Sequence, residues 1–269
     1  MGNDGKRGLA RQVATIVGAL FQVLAGAIVP IAQIAEEDPP SLVAPPSYAF
    51  AIWGPIFLLC LAYAAYQALP ANRHNPLLRR VGWFFAGAFF LNGLWEVLVP
   101  LHQPVALQVI LVGIFASLAI AYLRLVRSES GILNRADRWL VALPLGLLFG
   151  WITAANAVSF NDTLVELGLV GVGVGGALVG AILLLVGAAV AAVVISVGRA
   201  GPLQALLSYA AAVLWALAGV VINQYDASLL TAGAALLSVA LVVGVLIGAL
   251  RRRRLHTVAG RSSVRPGAA

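Results

Sequence analysis

The sequence has few charged residues, one cysteine and one lysine, and each shortage excludes a class of protein. Charged residues make up 10% of the 269 residues and hydrophobic residues 61%, and the mean hydropathy is +0.97. A soluble domain is about 25% charged, so a chain of this composition must bury its apolar surface in lipid. Cys60 alone supports neither an internal disulfide nor a thiolate metal cluster. Lys6 precedes the first apolar run, which excludes a retinal Schiff base inside the membrane.

Eight apolar runs are long enough to cross a membrane as helices, since about 20 apolar residues span roughly 30 Å of hydrocarbon. These runs cover residues 12–35, 48–69, 82–101, 104–123, 139–160, 169–197, 203–223 and 227–250. Short connections rich in turn-forming residues separate them. We therefore predict an all-α fold, a polytopic transmembrane helix bundle. The run 169–197 is either one tilted helix or a broken helix, because seven glycines lie from Gly168 to Gly187.

The positive charge lies on one side of the predicted bundle. With a cytoplasmic N-terminus, alternating spans place all 17 lysine and arginine residues in cytoplasmic segments. The acidic residues in the opposite segments are Glu36, Glu37, Asp38, Asp162, Glu166 and Asp226. Because basic loops stay on the cytoplasmic side, we predict eight spans in the cell membrane, with residues 1–11 and 251–269 in the cytoplasm. The run from Arg251 to Arg254 then contacts anionic lipid rather than nucleic acid, because no aromatic stacking partners accompany it.

The first apolar run has a second interpretation as a cleaved secretory signal. It follows a basic segment and ends in AQIA before Glu36. However, it is longer than a signal core of roughly 7–15 residues, and Gln33 stands where the cleavage site requires a small residue. The sequence therefore favours a retained first span.

Motifs for catalysis or for a resident cofactor are missing from the sequence. The histidines, which fall in connections or in the tail and away from any metal-ligand cluster, are His74, His102 and His256. Residues 171–176, GVGVGG, match the dinucleotide-binding pattern, but no βαβ unit surrounds them. The glycine pairs that instead suit close helix contact are Gly171 with Gly175 and Gly176 with Gly180. We therefore expect no enzyme, no metal and no required cofactor.

Glu96 is the only charged side chain within a predicted span, and an intramembrane carboxylate is a functional-site hypothesis by default. Asn92 lies one turn before it on the same helical face, and Trp95 lies beside it. The alternative is that Glu96, close to the outer end of its span, reaches the lipid headgroups. If Glu96 instead belongs to a functional site, Glu96, Asn92 and Trp95 are candidate contacts for a ligand.

Aromatic residues of two further spans fall in the same layer of the membrane. Trp53 and Phe57 lie four residues apart on one face of the second span. At a rise of about 1.5 Å per residue, Trp53, Glu96 and Asn156 lie about five residues from the outer boundary. Asn92 and Trp151 lie nearer the middle, so all five residues fall in one layer, the outer half of the membrane. Two tryptophans, amides and a carboxyl group in one layer suit a flat, aromatic, mostly apolar ligand. The alternative is an interfacial aromatic belt with interhelical hydrogen bonds.

Three segments of the chain resemble the TspO/MBR family of tryptophan-rich sensory or translocator proteins. The first is PPSYAFAIWGPIF, which leads into the second span and contains Pro45, Pro46, Phe50, Trp53 and Pro55. The second is LNGLW, residues 91–95, which is similar to a third-span motif of the family. The third is the fifth span, whose Pro144, Trp151 and Asn156 follow in the family's order with a longer Pro–Trp interval.

The resemblance covers residues 12–160 and implies a five-helix unit whose pocket binds tetrapyrroles such as protoporphyrin. It further implies that Trp53, Asn92 and Trp151 line this pocket. Five spans are the family's usual whole, and the three spans in residues 161–250 have no counterpart in it, so the chain resembles an extended member of the family. We therefore expect a sensor or carrier of a hydrophobic ring compound. The candidate ligand-binding residues are Trp53, Phe57, Asn92, Trp95, Glu96, Trp151 and Asn156.

Two functions of other classes stay open. A proton- or cation-coupled transporter would use Glu96, although the sequence shows no internal repeat and only one intramembrane charge, unlike most coupled transporters. A structural or assembly protein would use the glycine-rich sixth span to dock a partner or a second copy. The predicted partners are the lipid bilayer and a hydrophobic small molecule, with a homo-oligomer as a further option and no nucleic acid.

Overall fold

The computed structural model describes residues 3–29, 41–128, 133–171 and 173–262. Within these ranges, eight helices are long and apolar enough to cross a membrane, which confirms the predicted bundle. The helices are α1 (Asn3–Ile28), α2 (Trp53–Ala68), α3 (Pro76–Leu98), α4 (Pro104–Val126), α5 (Leu143–Glu166), α6 (Val174–Gly198), α7 (Leu203–Gln224) and α8 (Leu229–Ser262). The acidic residues 36–38 and the candidate signal-cleavage site before Glu36 lie outside the described residues.

The helix starts follow local sequence signals. Pro76 and Pro104 begin α3 and α4, where the missing backbone N–H costs nothing. The side chain of Asn75 accepts hydrogen bonds from the first backbone N–H groups of α3 and so caps that helix. Gly173 precedes α6 with a φ of 96°, a conformation that favours glycine. The sixth span is one continuous helix, Val174–Gly198. The sequence left open whether this span is continuous or broken, and the structure shows the continuous form.

Helix α5 joins the two parts of the bundle. Helix α1 packs against α2 and α3, and helix α4 packs against α3 and α5. Helices α6, α7 and α8 pack against one another, and α5 contacts both α6 and α7. Gly146 and Gly150 permit the α5–α7 contact, because a Cβ at either position would collide with the backbone carbonyl oxygens of Ala205 and Tyr209. The last three helices are thus joined to the helix that contains Trp151 through α6 and α7.

The basic segments meet at one end of the bundle, which we call the basic end. It comprises the start of α1, the α2–α3 connection, the end of α4, the segment Arg135–Ala142 before α5, and the ends of α6 and α8. Arginine side chains join these segments by hydrogen bonds to backbone carbonyl oxygens. Arg11 donates to Asn72 and Arg73, and Arg124 donates to Arg80. Arg253 donates to Arg199 and Gly201. The charge separation read from the sequence therefore corresponds to one structural face, and the basic end is the predicted cytoplasmic side.

Candidate functional site

Four rings from α2, its preceding turn and α5 form an aromatic cluster, which we define as Phe50, Trp53, Phe57 and Trp151. Trp53 stacks on Phe57 with 5.1 Å between ring centroids and an interplanar angle of 27°. Trp151 meets Trp53 edge-on at 6.2 Å and Phe50 edge-on at 5.7 Å. These are the offset and edge-to-face arrangements that aromatic pairs prefer. The structure thus brings together three of the candidate residues, from two different helices.

The helical spacing explains how α2 presents these rings. Trp53 and Phe57 are one turn apart, so their side chains lie on the same face of the helix. Pro55 falls in the first turn of α2, where the lost backbone donor has no intrahelical partner to miss. Trp151 lies near the middle of the span Arg135–Glu166 and is only 4% exposed. A tryptophan at that depth packs within the bundle and does not belong to an interfacial belt.

Three buried polar side chains at the α1–α3 interface form a polar cluster, defined as Gln22, Asn92 and Glu96. Their exposures are 0%, 1% and 0%. Asn92 Nδ2 donates to Glu96 Oε1 at 3.0 Å. Gln22 approaches the Cys60 thiol, and the Gly26 backbone N–H approaches the Glu96 carboxyl group. Neither Gln22, Asn92 Oδ1 nor Glu96 Oε2 makes a hydrogen bond of good geometry in these contacts or elsewhere among the described residues. A buried polar atom without a partner costs roughly 1–3 kcal/mol, so this cluster has unsatisfied donors and acceptors at membrane depth.

The aromatic cluster and the polar cluster meet at Gly26 of α1. A Cβ at Gly26 would lie 2.9 Å from two ring atoms of Phe57 and 3.3 Å from Glu96 Oε2. The absence of a side chain there allows the Phe57 ring and the Glu96 carboxyl group to approach the same stretch of α1 backbone. The two clusters are therefore one continuous candidate site, built by α1, α2, α3 and α5.

Two candidate residues lie apart from these contacts. Asn156 faces α4, where its Nδ2 donates to the carbonyl oxygens of Leu111 and Ile152 and its Oδ1 accepts from Gln108 Nε2. Its hydrogen bonds join α5 to α4 and leave Nδ2 without a free proton for a ligand. Trp95 is half-buried against the hydrophobic core, and its Nε1 has no partner among the described residues. We place Trp95 beside the polar cluster by its position on α3 and Asn156 outside the site.

Sequence reasoning overlooked Gln22, Phe50 as a wall of the site, and the anchoring of the segment before α2. This lead-in segment, residues 41–52, is held by α7. Trp215 Nε1 donates to the carbonyl oxygen of Ala49 at 2.9 Å, and Gln224 Nε2 donates to those of Ser41 and Ala44. One signal was readable: Gln22 is a polar residue in the middle of an apolar run. The contacts to Trp215 and Gln224 join residues more than 160 positions apart and had no local signal.

The substitution Trp215→Phe is expected to loosen the lead-in segment. It removes the only side-chain donor that reaches Ala49 in the described structure while keeping an aromatic ring beside Tyr48. A net hydrogen bond is worth about 1 kcal/mol, so amide hydrogen exchange across Ser47–Ile52 should accelerate about fivefold. Hydrogen–deuterium exchange with mass spectrometry measures this directly. Trp139→Phe, an exposed tryptophan at the basic end, is the matched control, and equal exchange in both variants would contradict the anchoring role.

One known protein family matches nearly the whole chain. A family model described as TSPO-like protein matches residues 9–247. The matched range extends through α6, α7 and most of α8, beyond the residues 12–160 that contain the three sequence motifs. No curated protein and no solved structure matches the chain.

Proposed function

The chain belongs to the family of TSPO-like proteins, and we propose that it binds a hydrophobic ring compound of the tetrapyrrole class between α2 and α5. The family and the eight-helix bundle fit a sensory or transport protein of a membrane. The proposed role is binding for sensing or transport, without a chemical step on the ligand and without a resident cofactor. We place the protein in the cell membrane on the basis of its positive-inside pattern.

The contact between Trp53 and Trp151 is the observation that supports this proposal most directly. Two indole rings from separate helices meet inside the bundle at a centroid distance of 6.2 Å, with Phe50 and Phe57 beside them. Indole faces attract a flat conjugated ring through dispersion and quadrupole interactions, with about 1 kcal/mol per pair beyond the burial of area. A tetrapyrrole offers such a face over its whole width.

The polar cluster supplies complementary groups at the edge of the same site. Gln22 Nε2 is a buried donor whose neighbour, the Cys60 thiol, is a weak acceptor, so it suits a stronger acceptor such as a ligand carboxylate. Asn92 Oδ1 and Glu96 Oε2 are buried acceptors that also lack a well-formed hydrogen bond among the described residues, and they suit ligand N–H groups. A ligand that satisfies these atoms removes their desolvation cost, which favours a ring compound with polar substituents over a plain hydrocarbon.

The rings of the aromatic cluster touch one another, so a flat ligand must separate them to enter. Phe50 lies in the short helical turn Ser47–Ile52, which belongs to the lead-in segment that Trp215 and Gln224 anchor. Movement of this turn would shift Phe50 away from Trp151 without unfolding α2. Helix α7 then controls access to the site through its hold on residues 41–52.

Titration of the purified full-length protein with protoporphyrin tests the proposal. Tryptophan fluorescence should be quenched with a saturable dependence on protoporphyrin, because Trp53 and Trp151 lie at the ligand. The double variant Trp83→Phe/Trp139→Phe removes two exposed tryptophans at the basic end and should retain the saturable component. Quenching that rises linearly with protoporphyrin in the parent protein would overturn the proposed function.

A further inference from the structure

An apolar groove lies away from the aromatic cluster, in the half of the bundle nearest the basic end. It is a groove of about 480 Å³ between α4, α5 and α6. Phe115 and Leu123 form the α4 wall, Phe149 the floor on α5, and Val186 and Val197 the two ends of the α6 wall. The lining residues are Ala, Val, Leu, Phe and one Tyr, so the groove offers no charged group to its occupant. Val186 is 53% exposed, which leaves the groove open to the surrounding lipid.

The length of the groove corresponds to one leaflet of a bilayer. At about 1.5 Å per residue, the helical rise from Val186 to Val197 is roughly 16 Å. Half of a hydrocarbon core of about 30 Å is roughly 15 Å. Helices α4 and α6 run in the same direction along the groove, and both end at the basic end. A single extended acyl chain would therefore lie along the groove from the bilayer middle to the basic end.

Two exposed arginines flank the basic end of the groove, and Arg253 of α8 lies beside them, where it donates to the carbonyl oxygens of Arg199 and Gly201. Arg127 follows the last residue of α4, and Arg199 follows the last residue of α6. Both side chains are exposed, and neither has a side-chain partner among the described residues. The ends of α4 and α6 are held together, because a Cβ at Gly201 in the turn after α6 would lie 2.8 Å from Val126 Cγ2. Positive charge thus stands where the headgroup of a lipid in the groove would be.

We propose that this groove binds one acyl chain of an anionic phospholipid from the leaflet at the basic end, with the lipid phosphate beside Arg127 and Arg199. The apolar walls hold the chain, and the two guanidinium groups select the negative headgroup. A basic residue near a membrane surface favours an anionic lipid roughly fivefold. The groove and the aromatic cluster both include side chains of α5 but have no residue in common, so lipid retention in the groove is measured independently of the proposed function.

The experiment uses full-length protein reconstituted in nanodiscs with equal amounts of phosphatidylglycerol and phosphatidylcholine. After transfer to a mild detergent, native mass spectrometry counts the lipids that stay bound. The parent protein should retain phosphatidylglycerol at least fivefold over phosphatidylcholine. Arg127→Gln/Arg199→Gln should bring this ratio close to one, whereas Arg7→Gln/Arg80→Gln, which removes two exposed arginines of α1 and α3, should leave it unchanged.

A second pair of variants separates the groove from general surface charge. Ala189→Phe fills the groove from α6 and should lower the retention of both lipids, whereas Ala116→Phe adds the same ring to an exposed position of α4 outside the groove. Equal retention of the two lipids by the parent protein would overturn the proposal. It would also be overturned if Arg7→Gln/Arg80→Gln abolished the preference, or if Ala189→Phe retained as much lipid as Ala116→Phe. Circular dichroism of each variant confirms that the helices are intact.

Discussion

Replacing Trp53 and Trp151 together by leucine is expected to weaken protoporphyrin binding at least about thirtyfold. Each indole contributes about 1 kcal/mol of ring stacking beyond its buried area, and 1.4 kcal/mol corresponds to a factor of about ten in the dissociation constant. Leucine keeps an apolar side chain at both positions but removes the aromatic faces. Because the variant lacks two tryptophans, the change in porphyrin absorbance on binding, rather than tryptophan quenching, gives the dissociation constant.

The matched control for this variant is Trp83→Leu/Trp139→Leu. It removes the same number of indole rings from positions that are 49% and 51% exposed at the basic end. Its dissociation constant should stay within about twofold of the parent value, since these rings contact no part of the candidate site. If both double variants lost affinity equally, the porphyrin would be binding to exposed aromatic surface. Thermal unfolding of both proteins shows whether a loss of affinity reflects a loss of fold.

The substitution Gly150→Ala is expected to lower the free energy of unfolding by about 2–3 kcal/mol, the upper range for overpacking. The added Cβ would lie 2.9 Å from Ala212 Cβ and would collide with the carbonyl oxygen of Tyr209. A backbone oxygen cannot rotate away as a flexible side chain can, so α5 and α7 must separate. Because α5 contains Trp151 and α7 anchors the lead-in segment, porphyrin affinity should fall together with stability.

Gly244→Ala on α8 is the control for this prediction. No atom lies within 4 Å of a Cβ built at Gly244, and alanine is favoured over glycine in a helix by about 1 kcal/mol. Unfolding in a mixed detergent series, followed by circular dichroism, should therefore show unchanged or increased stability for Gly244→Ala. A Gly150→Ala protein as stable as Gly244→Ala would contradict direct backbone contact between α5 and α7.

The number of the membrane-spanning helices could be predicted from the sequence, whereas their packing could not. Hydropathy identifies the spans because a helix that crosses the hydrocarbon core of the bilayer must present apolar side chains to the lipid. Small-residue pairs at four-residue spacing show which helices can pack closely but not which pairs do so. Gly171 and Gly175 have open space or only loose contact around them, whereas Gly146 and Gly150, with the same spacing, contact α7. Whether a glycine pair makes a close contact depends on the helix that packs against it, and that helix comes from another part of the chain.

The candidate site was predicted where helical spacing and depth determine the contact. Asn92 and Glu96 are one turn apart and are hydrogen-bonded, and Trp53 and Trp151 meet at the layer that their depths indicated. Asn156 shares that layer, but the rotation of α5 about its axis turns the residue toward α4. Depth follows from residue number along a span. Rotation follows from the neighbouring helices, which a single sequence does not specify.

The most direct test of ring-ligand binding between α2 and α5 is a cryo-EM structure of the full-length protein with protoporphyrin. Planar density is expected against Trp53 and Trp151, with its polar edge toward Gln22 and Glu96 and with Phe50 displaced from its contact with Trp151. Planar density on the outer surface of the bundle, with Trp53 and Trp151 still in contact, would contradict the proposed site.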